Sequence, residues 1–457
     1  MRLWIATEIR NEGEAPRLGH HERVRIGGAG QQDASDERAA EALAAAALLS
    51  AVVRAHLHHH HHDRPRRRLS AHLRAGSGAR ERGRRRSTAG AVAAAPLLGR
   101  LRGEKIFEKL VRAGKERGIK IRIAQDQPSE YQPDIDTQEL HDMGVAQVRS
   151  LNFNKLIGAG ILHTKMWLVD NKHFYIGSGN LDWRSLTQVK ELGAVVYNCT
   201  CLAQDLAKIF EVYWYLGRPT AQIPDRWPVE FETAYNLTMP LTLSFNETTS
   251  TTFLASSPPQ LCPTGRSTDI DAIIHIIQSA KRFIYIAVMD YFPTYLYTYP
   301  RRFWPVIDNE LRRATLEKGV DVRLMASWWN HSRPDLPKYL LSLQVLTGAL
   351  RANVETKLFE VPSTDAQRKI PYARVNHNKY MVTDNAAYIG TSNWSGDYFV
   401  STGGIGFIVN QTDSSWNTTS PNGQPIREQL QAIFERDWTS AYAHPIDKYL
   451  PALSVRS

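Results

Sequence analysis

One spacing of histidine, lysine and aspartate occurs twice in this 457-residue chain. His163, Lys165 and Asp170 lie in HTKMWLVD, and His377, Lys379 and Asp384 lie in HNKYMVTD. Each copy is followed by a small-residue turn, Gly177-Ser178-Gly179-Asn180 and Gly390-Thr391-Ser392-Asn393. A lone His-x-Lys on a strand is ordinarily surface or core. Two complete copies with matched turns point to one site built from both. Imidazole serves as nucleophile, acid or base near neutral pH. An ammonium group neutralises anionic oxygen. That set suits displacement at a phosphodiester: one imidazole attacks phosphorus, and the other protonates the leaving alcohol and then activates water. His163 is assigned the attack and His377 the proton. Lys165 and Lys379 offset the phosphate charge, with Ser178, Asn180, Ser392 and Asn393 expected to donate hydrogen bonds to it. Asp170 and Asp384 are each expected to orient the imidazole of the opposite repeat. No metal or other cofactor is expected, since the chain carries neither HExxH nor a Cys/His zinc spacing. Activity should peak between about pH 5 and 6.5, where one histidine is protonated and the other neutral.

Strands and turns must position these groups. Side chains at i and i+2 of a strand share a face, so His163 and Lys165 point together. Phe174-Tyr175-Ile176 forms the return strand, and Gly177 and Gly179 permit a tight turn beside the site. The duplication extends further. Arg117-Gly118-Ile119-Lys120 resembles Lys318-Gly319-Val320-Asp321, each reading as a helix end, a glycine cap and a buried strand. IFEVYW (Ile209–Trp214) matches IFERDW (Ile433–Trp438). The pattern predicts an α/β fold of two similar repeats, each a mixed sheet flanked by helices, related by a pseudo-two-fold axis with the site between them. Repeat one should span 103–225 and repeat two 266–457, with a sequon-bearing linker over 226–265.

Repeat two opens with the helix DIDAIIHIIQSAKR and the strand FIYIAVMDY, Phe283–Tyr291. The counterpart in repeat one should lie near residues 80–90, where ERGRRRSTAG stands. Residues 1–100 hold 18 Arg, 10 acidic residues and no Lys, Phe or Tyr. Such a segment cannot build an ordinary core. Residues 1–102 are therefore expected to be low-complexity, disordered and foreign to the fold, leaving an inner sheet position of repeat one unpaired. His58–His62 reads as part of that bias, with metal binding the lesser reading. Ala42–Val53 is apolar for 12 residues, short of the roughly 20 that a membrane span needs. The net charge of +10 also concentrates there, because the rest of the chain carries 38 basic and 36 acidic residues. The overall basicity is thus no nucleic-acid footprint of the folded part.

Asn-x-Ser/Thr begins at Asn198, Asn236, Asn246, Asn330, Asn393, Asn410 and Asn417. Glycosylation is expected at Asn236, Asn246, Asn330, Asn410 and Asn417, with Asn393 buried in its turn and unmodified. The excess favours a lumenal or secreted protein. Cys199 and Cys201 are expected to share a face of one strand, either as buried thiols or with partners elsewhere. Glu191 is open between a partner of the site and a strand-end ion pair. Tyr291, Phe292, Trp394 and Phe399 follow strand ends or motif turns and are weak candidates for contact with substrate. Phe283 and Tyr285 read as core, and His331 as structural or surface.

The two motifs resemble the phospholipase D superfamily. LDWRSLTQVKELG (Leu181–Gly193), PYARVNHNKYMVT (Pro371–Thr383) and YIGTSNWSGDYF (Tyr388–Phe399) are similar, more narrowly, to the third and fourth vertebrate phospholipase D homologues. The resemblance runs from about residue 103 to about 445. It implies a phosphohistidine mechanism and 5′ exonuclease action on single-stranded DNA or RNA. It also implies a type II membrane protein of the endoplasmic reticulum, glycosylated and delivered to the lysosome lumen, with membrane association, and it allows a homodimer. The anchor, the first strand of repeat one and upstream cysteines to pair with Cys199 and Cys201 are not visible in this sequence. Two other readings stand beside it: a phospholipid hydrolase or transphosphatidylase of the same compartment, and an inactive lumenal glycoprotein.

Overall fold

The structure, a computed structural model, describes residues 5–10, 89–130, 133–245, 248–411 and 424–450. His58–His62, Ala42–Val53, Asn246 and Asn417 lie outside the described residues. Short apolar runs bounded by glycine, asparagine and aspartate form the strands. MWLV and KYMVT, which follow the two motif histidines, are buried at every position. Inner strands covered on both faces require such continuous burial.

Sheet one contains β1 (Ile5–Arg10), β2 (Lys120–Asp126), β3 (Ala146–Leu151), β4 (Met166–Val169), β5 (His173–Gly177) and β6 (Gly193–Val196), in the order β3-β2-β1-β4-β5-β6. Sheet two contains β7 (Leu241–Phe245), β8 (Thr248–Ser257), β9 (Phe283–Val288), β10 (Asp321–Ser327), β11 (Asn353–Phe359), β12 (Lys379–Thr383), β13 (Ala386–Gly390), β14 (Gly404–Asn410) and β15 (Ala443–Pro445). Its order is β15-β11-β10-β9-β12-β13-β14-β8-β7. The run β11-β10-β9-β12-β13-β14 repeats the whole of sheet one, which is the duplication inferred from the motifs. Gly118 and Gly319 end the preceding helices at φ 64° and 67°, the left-handed cap that a Cβ disfavours. The sheets pack across a shared core in which Phe174 meets Phe407 edge-on at 6.0 Å. A buried pair, Arg266 to Asp205 at 2.6 Å with the Thr233 hydroxyl donating to the same carboxylate at 2.5 Å, ties the segment before repeat two to the last helix of repeat one.

Three expectations need correction. The inner position of sheet one is filled: β1 pairs with both β2 and β4. Its polarity is reversed, however. β9 runs parallel to β10 and antiparallel to β12, whereas β1 runs antiparallel to β2 and parallel to β4. Backbone N–H and C=O groups demand partners inside a sheet whatever the direction of the strand that supplies them. A segment of the supposedly foreign N-terminus meets that demand, and a helix over Ala89–Lys115 precedes β2. Second, the supposed linker supplies two strands of sheet two, because β8 pairs along the whole of β14. Third, Cys199 is the N-cap and Cys201 lies in the first turn of the helix Thr200–Leu216, not on a strand. The short run TCLAQ has the polar start of a helix, and the alternation expected of a strand ends at Val196.

Candidate active site

The two motif histidines enter the site from opposite sheets and are held by the opposite repeat. The His163 N–H donates to the Gly403 carbonyl at 2.9 Å, and the Gly403 N–H donates to Ile161 at 2.9 Å. In the mirror arrangement, the His377 N–H donates to the Lys190 carbonyl at 2.8 Å, and the Lys190 N–H donates to Val375 at 3.0 Å. Each main chain that carries a motif imidazole is thus clasped by the other half. Both imidazoles are buried at the wall of a cleft of about 620 Å³.

The turns that follow the motifs need glycine for a visible reason. The Tyr175 ring lies over Gly177 and Gly193, and the Tyr388 ring lies over Gly390 and Gly406, so a Cβ at any of these four positions would collide with a phenol. Tyr175 accepts the Gly179 N–H at 3.1 Å, and Tyr388 donates to the buried Asp269 at 2.9 Å.

The surroundings of the histidines differ. Nδ1 of His377 lies 2.9 Å from Glu191, whose carboxylate also accepts the hydroxyls of Ser178 at 2.5 Å and Ser185 at 2.9 Å. The pseudo-equivalent position beside His163 is Gly404, because Gly193 and Gly406 occupy matching registers against β5 and β13. No side chain fits there, since a Cβ on Gly404 would run into the hydroxyls of Ser392 and Ser257. The backbone carbonyl of Thr391 favours the charged form of His163 instead. Burial first, then Lys165, Lys379 and His377, hold His163 well below the ordinary imidazole range. Burial lowers His377 to about 4, with the Glu191 carboxylate opposing that shift. Both shifts favour neutral imidazoles near neutral pH. An anionic phosphate between the lysines would restore their basicity.

Lys165 and Lys379 are buried and turn their ammonium groups back onto the carbonyls of His163 and His377, the second at 2.7 Å. Asn180 and Asn393 stand in the cleft wall. The Asn393 amide donates to the Tyr398 hydroxyl at 3.0 Å. Ser392 is buried, with its hydroxyl unpartnered among the described residues. Ser178 differs from its expected role: its hydroxyl donates to Glu191 and accepts the Leu192 N–H, while its own N–H donates to the Leu192 carbonyl at 2.9 Å.

The motif aspartates also differ from expectation. Asp384 accepts the Lys281 and Arg282 N–H groups at 3.0 and 3.1 Å, at the far end of β12. Asp170 forms the β4–β5 turn at φ 52°. Seven residues of extended chain separate each from its histidine, which amounts to about 23 Å. The orienting carboxylate comes instead from Glu191, and it does belong to the repeat opposite its histidine. Tyr291, Phe292, Trp394 and Phe399 are buried core residues. Tyr291 donates to Asp308 at 2.7 Å, and Phe399 stacks on Trp304 at 5.6 Å.

Sequence reasoning missed several cleft residues. Asp126 accepts the Leu162 N–H at 2.8 Å, and burial raises its carboxyl to about 7. Asp182 and Arg184 pair through two hydrogen bonds, at 3.0 and 2.8 Å. Tyr398 packs edge-on against His163 at 4.9 Å. Glu191, open in the sequence between a partner of the site and a strand-end ion pair, proves to be the partner of His377.

The family described as "PLD3/4, PLD-like domain" matches residues 98–364. A Xenopus laevis protein named 5'-3' exonuclease PLD3 is 54% identical over 75% of this chain and 68% of its own. The Homo sapiens protein of the same name is 51% identical over 76% and 68%. The chain belongs to this family. Among solved structures, a phospholipase D family member from Salmonella typhimurium, Nuc, aligns at 11% identity with a TM-score of 0.30, over 43% of this chain and 97% of its own. The chain is a phosphodiesterase of the phospholipase D superfamily, with nucleic acid or lipid as the substrate class.

Proposed function

We propose that this chain is a 5′-3′ exonuclease of single-stranded DNA or RNA that works through a phosphohistidine and needs no metal ion. The observation that carries the chemistry is the pair of buried imidazoles in one cleft wall, one backed by Glu191, with a buried lysine two residues after each. The His163 imidazole attacks phosphorus, the bond to the leaving alcohol breaks, and that oxygen takes a proton from His377. The neutral His377 then removes a proton from water as the water attacks phosphorus. The P–N bond breaks, and a phosphate monoester leaves. Glu191 stabilises the imidazolium that His377 becomes on taking that proton, and Lys165, Lys379, Asn180 and Asn393 stabilise the developing phosphoryl charge. The names of the relatives support nucleic acid as the substrate.

The reading includes a glycosylated, lumenal protein. Asn330 is exposed, and Asn236 and Asn410 are partly so. Among the described residues no helix is long and apolar enough to cross a membrane. The test is turnover of a 5′-hydroxyl oligonucleotide in excess EDTA, with phospholipid vesicles as competitor. Undiminished hydrolysis is expected. Loss on chelation with recovery in Mg²⁺ or Zn²⁺ contradicts the metal-free mechanism. Turnover of lipid but not oligonucleotide replaces the substrate.

A further inference from the structure

The aromatic residues that line the cleft are not those the sequence put forward. Trp329 and Tyr372, both from repeat two, stand in the same cleft wall as His163 and His377. The exposed His331 touches both rings. Its ring lies parallel to Tyr372, at 4.7 Å and 15°, and edge-on to Trp329, at 4.7 Å and 62°. The three rings form one continuous pile whose outer member, Tyr372, remains 44% exposed.

Tyr372 also sits at φ 56°, a left-handed backbone that a bulky side chain adopts only when its surroundings impose it. Anchors flank it on both sides. The Arg184 guanidinium donates to the Pro371 carbonyl at 3.3 Å, and the Arg374 N–H donates to Gln188 at 2.8 Å. The Trp329 loop is fixed as well, since the Ser332 hydroxyl accepts the Trp329 N–H at 3.0 Å and the Ser332 N–H donates back to its carbonyl at 2.9 Å. The Trp329 indole N–H is buried with no hydrogen-bond partner among the described residues. A preorganised ring loses little freedom when a ligand covers it. A quaternary ammonium headgroup is recognised by several ring faces converging around one point. This pile offers one flat face, which suits a planar base.

We propose that Tyr372, backed by His331 and Trp329, is the platform on which the nucleobase nearest the scissile phosphate stacks. This rests on the nucleic-acid reading above. The direct test is calorimetric binding of thymidine monophosphate, deoxyribose phosphate and phosphocholine to the full chain. Wild type should prefer the nucleotide over the sugar phosphate by about tenfold or more, the scale of base–aromatic stacking. Tyr372→Leu should reduce that preference to about twofold, and Tyr372→Phe should keep it. If Tyr372→Leu does not fold, His331→Ala, at an exposed position behind the platform, should reduce the preference about threefold. An unchanged preference in these variants overturns the platform, and so does tight phosphocholine binding that Tyr372→Leu abolishes. Turnover of oligonucleotides with an ordinary or an abasic 5′ nucleotide should show the same ratio. Intact nucleotide preference without any oligonucleotide turnover overturns the exonuclease reading and leaves the platform standing.

Discussion

Repeat one and repeat two carry the same strand order and the same motif, yet they are unequal at two places. Beside the histidine of repeat two stands Glu191, whereas beside the histidine of repeat one stands Gly404, with no room for a side chain. In the sheets, the inner strand β9 of repeat two has a reversed substitute, β1, in repeat one. The first inequality concerns chemistry. A histidine held by a carboxylate is stabilised when it becomes imidazolium, which suits a group that gives and takes a proton. A histidine without one is favoured as the neutral imidazole, which suits a nucleophile. The second concerns stability. A slot in a sheet is specified by backbone hydrogen bonding, which does not distinguish strand direction strongly.

The largest effect should come from removing either imidazole. His163→Ala and His377→Ala should each lower turnover by roughly a thousandfold or more, since each performs a step the other cannot. The asymmetry adds that a trapped phosphoryl group belongs on His163. Mass spectrometry that places it on His377 would reverse the two roles.

Glu191→Gln comes next. The carboxylate raises the His377 pKa against the burial that lowers it to about 4, so its loss moves that pKa further down. The protonated general acid then persists only at lower pH. The basic limb of the pH–rate profile should shift down by about one unit, with kcat reduced on the order of 10²-fold. The wild-type optimum should lie at the acid end of the pH 5 to 6.5 window. A profile of Glu191→Gln that coincides with wild type would detach Glu191 from proton transfer. The same burial affects stability. His377 is near 6.5 when unfolded and about 4 when folded, so its contribution is complete above pH 6.5 and declines as pH falls towards 4.

The smallest contrast is between proline substitutions in the two inner strands. Ile286→Pro, inside β9, should prevent folding. Thr7→Pro, inside β1, removes a ladder hydrogen bond from a substitute strand and should lower Tm by several degrees while leaving a folded core. Thermal scans and secretion levels of the two variants separate them. Equal damage would show that β1 is as integral to its sheet as β9.

Much of this is legible in the sequence. The 214-residue offset between His163 and His377, the glycine caps and the matched turns fix the duplication, because each is a local requirement repeated at a distance. The misplaced parts share a cause. Asp170 and Asp384 complete the motif and so point to the site, but a strand of that length carries them to its far end. Ser178 lies where a phosphate ligand was expected, yet the nearer carboxylate takes its hydroxyl. Tyr291 and Trp394 flank the right strands with their rings turned inward, and nothing in a local pattern reports that direction. The occupancy of the sheet one slot depends on a segment more than a hundred residues away in sequence, with no periodicity that announces it.

The reciprocal clasp has a consequence for how activity is lost. Gly403 holds the His163 main chain, and Lys190 holds that of His377, so the placement of each imidazole depends on the other half. A parting of the repeats should release both histidines together. Inactivation by heat or acid should therefore be switch-like, with each molecule either fully competent or silent, and a partly damaged population should show fewer working sites with an unaltered KM.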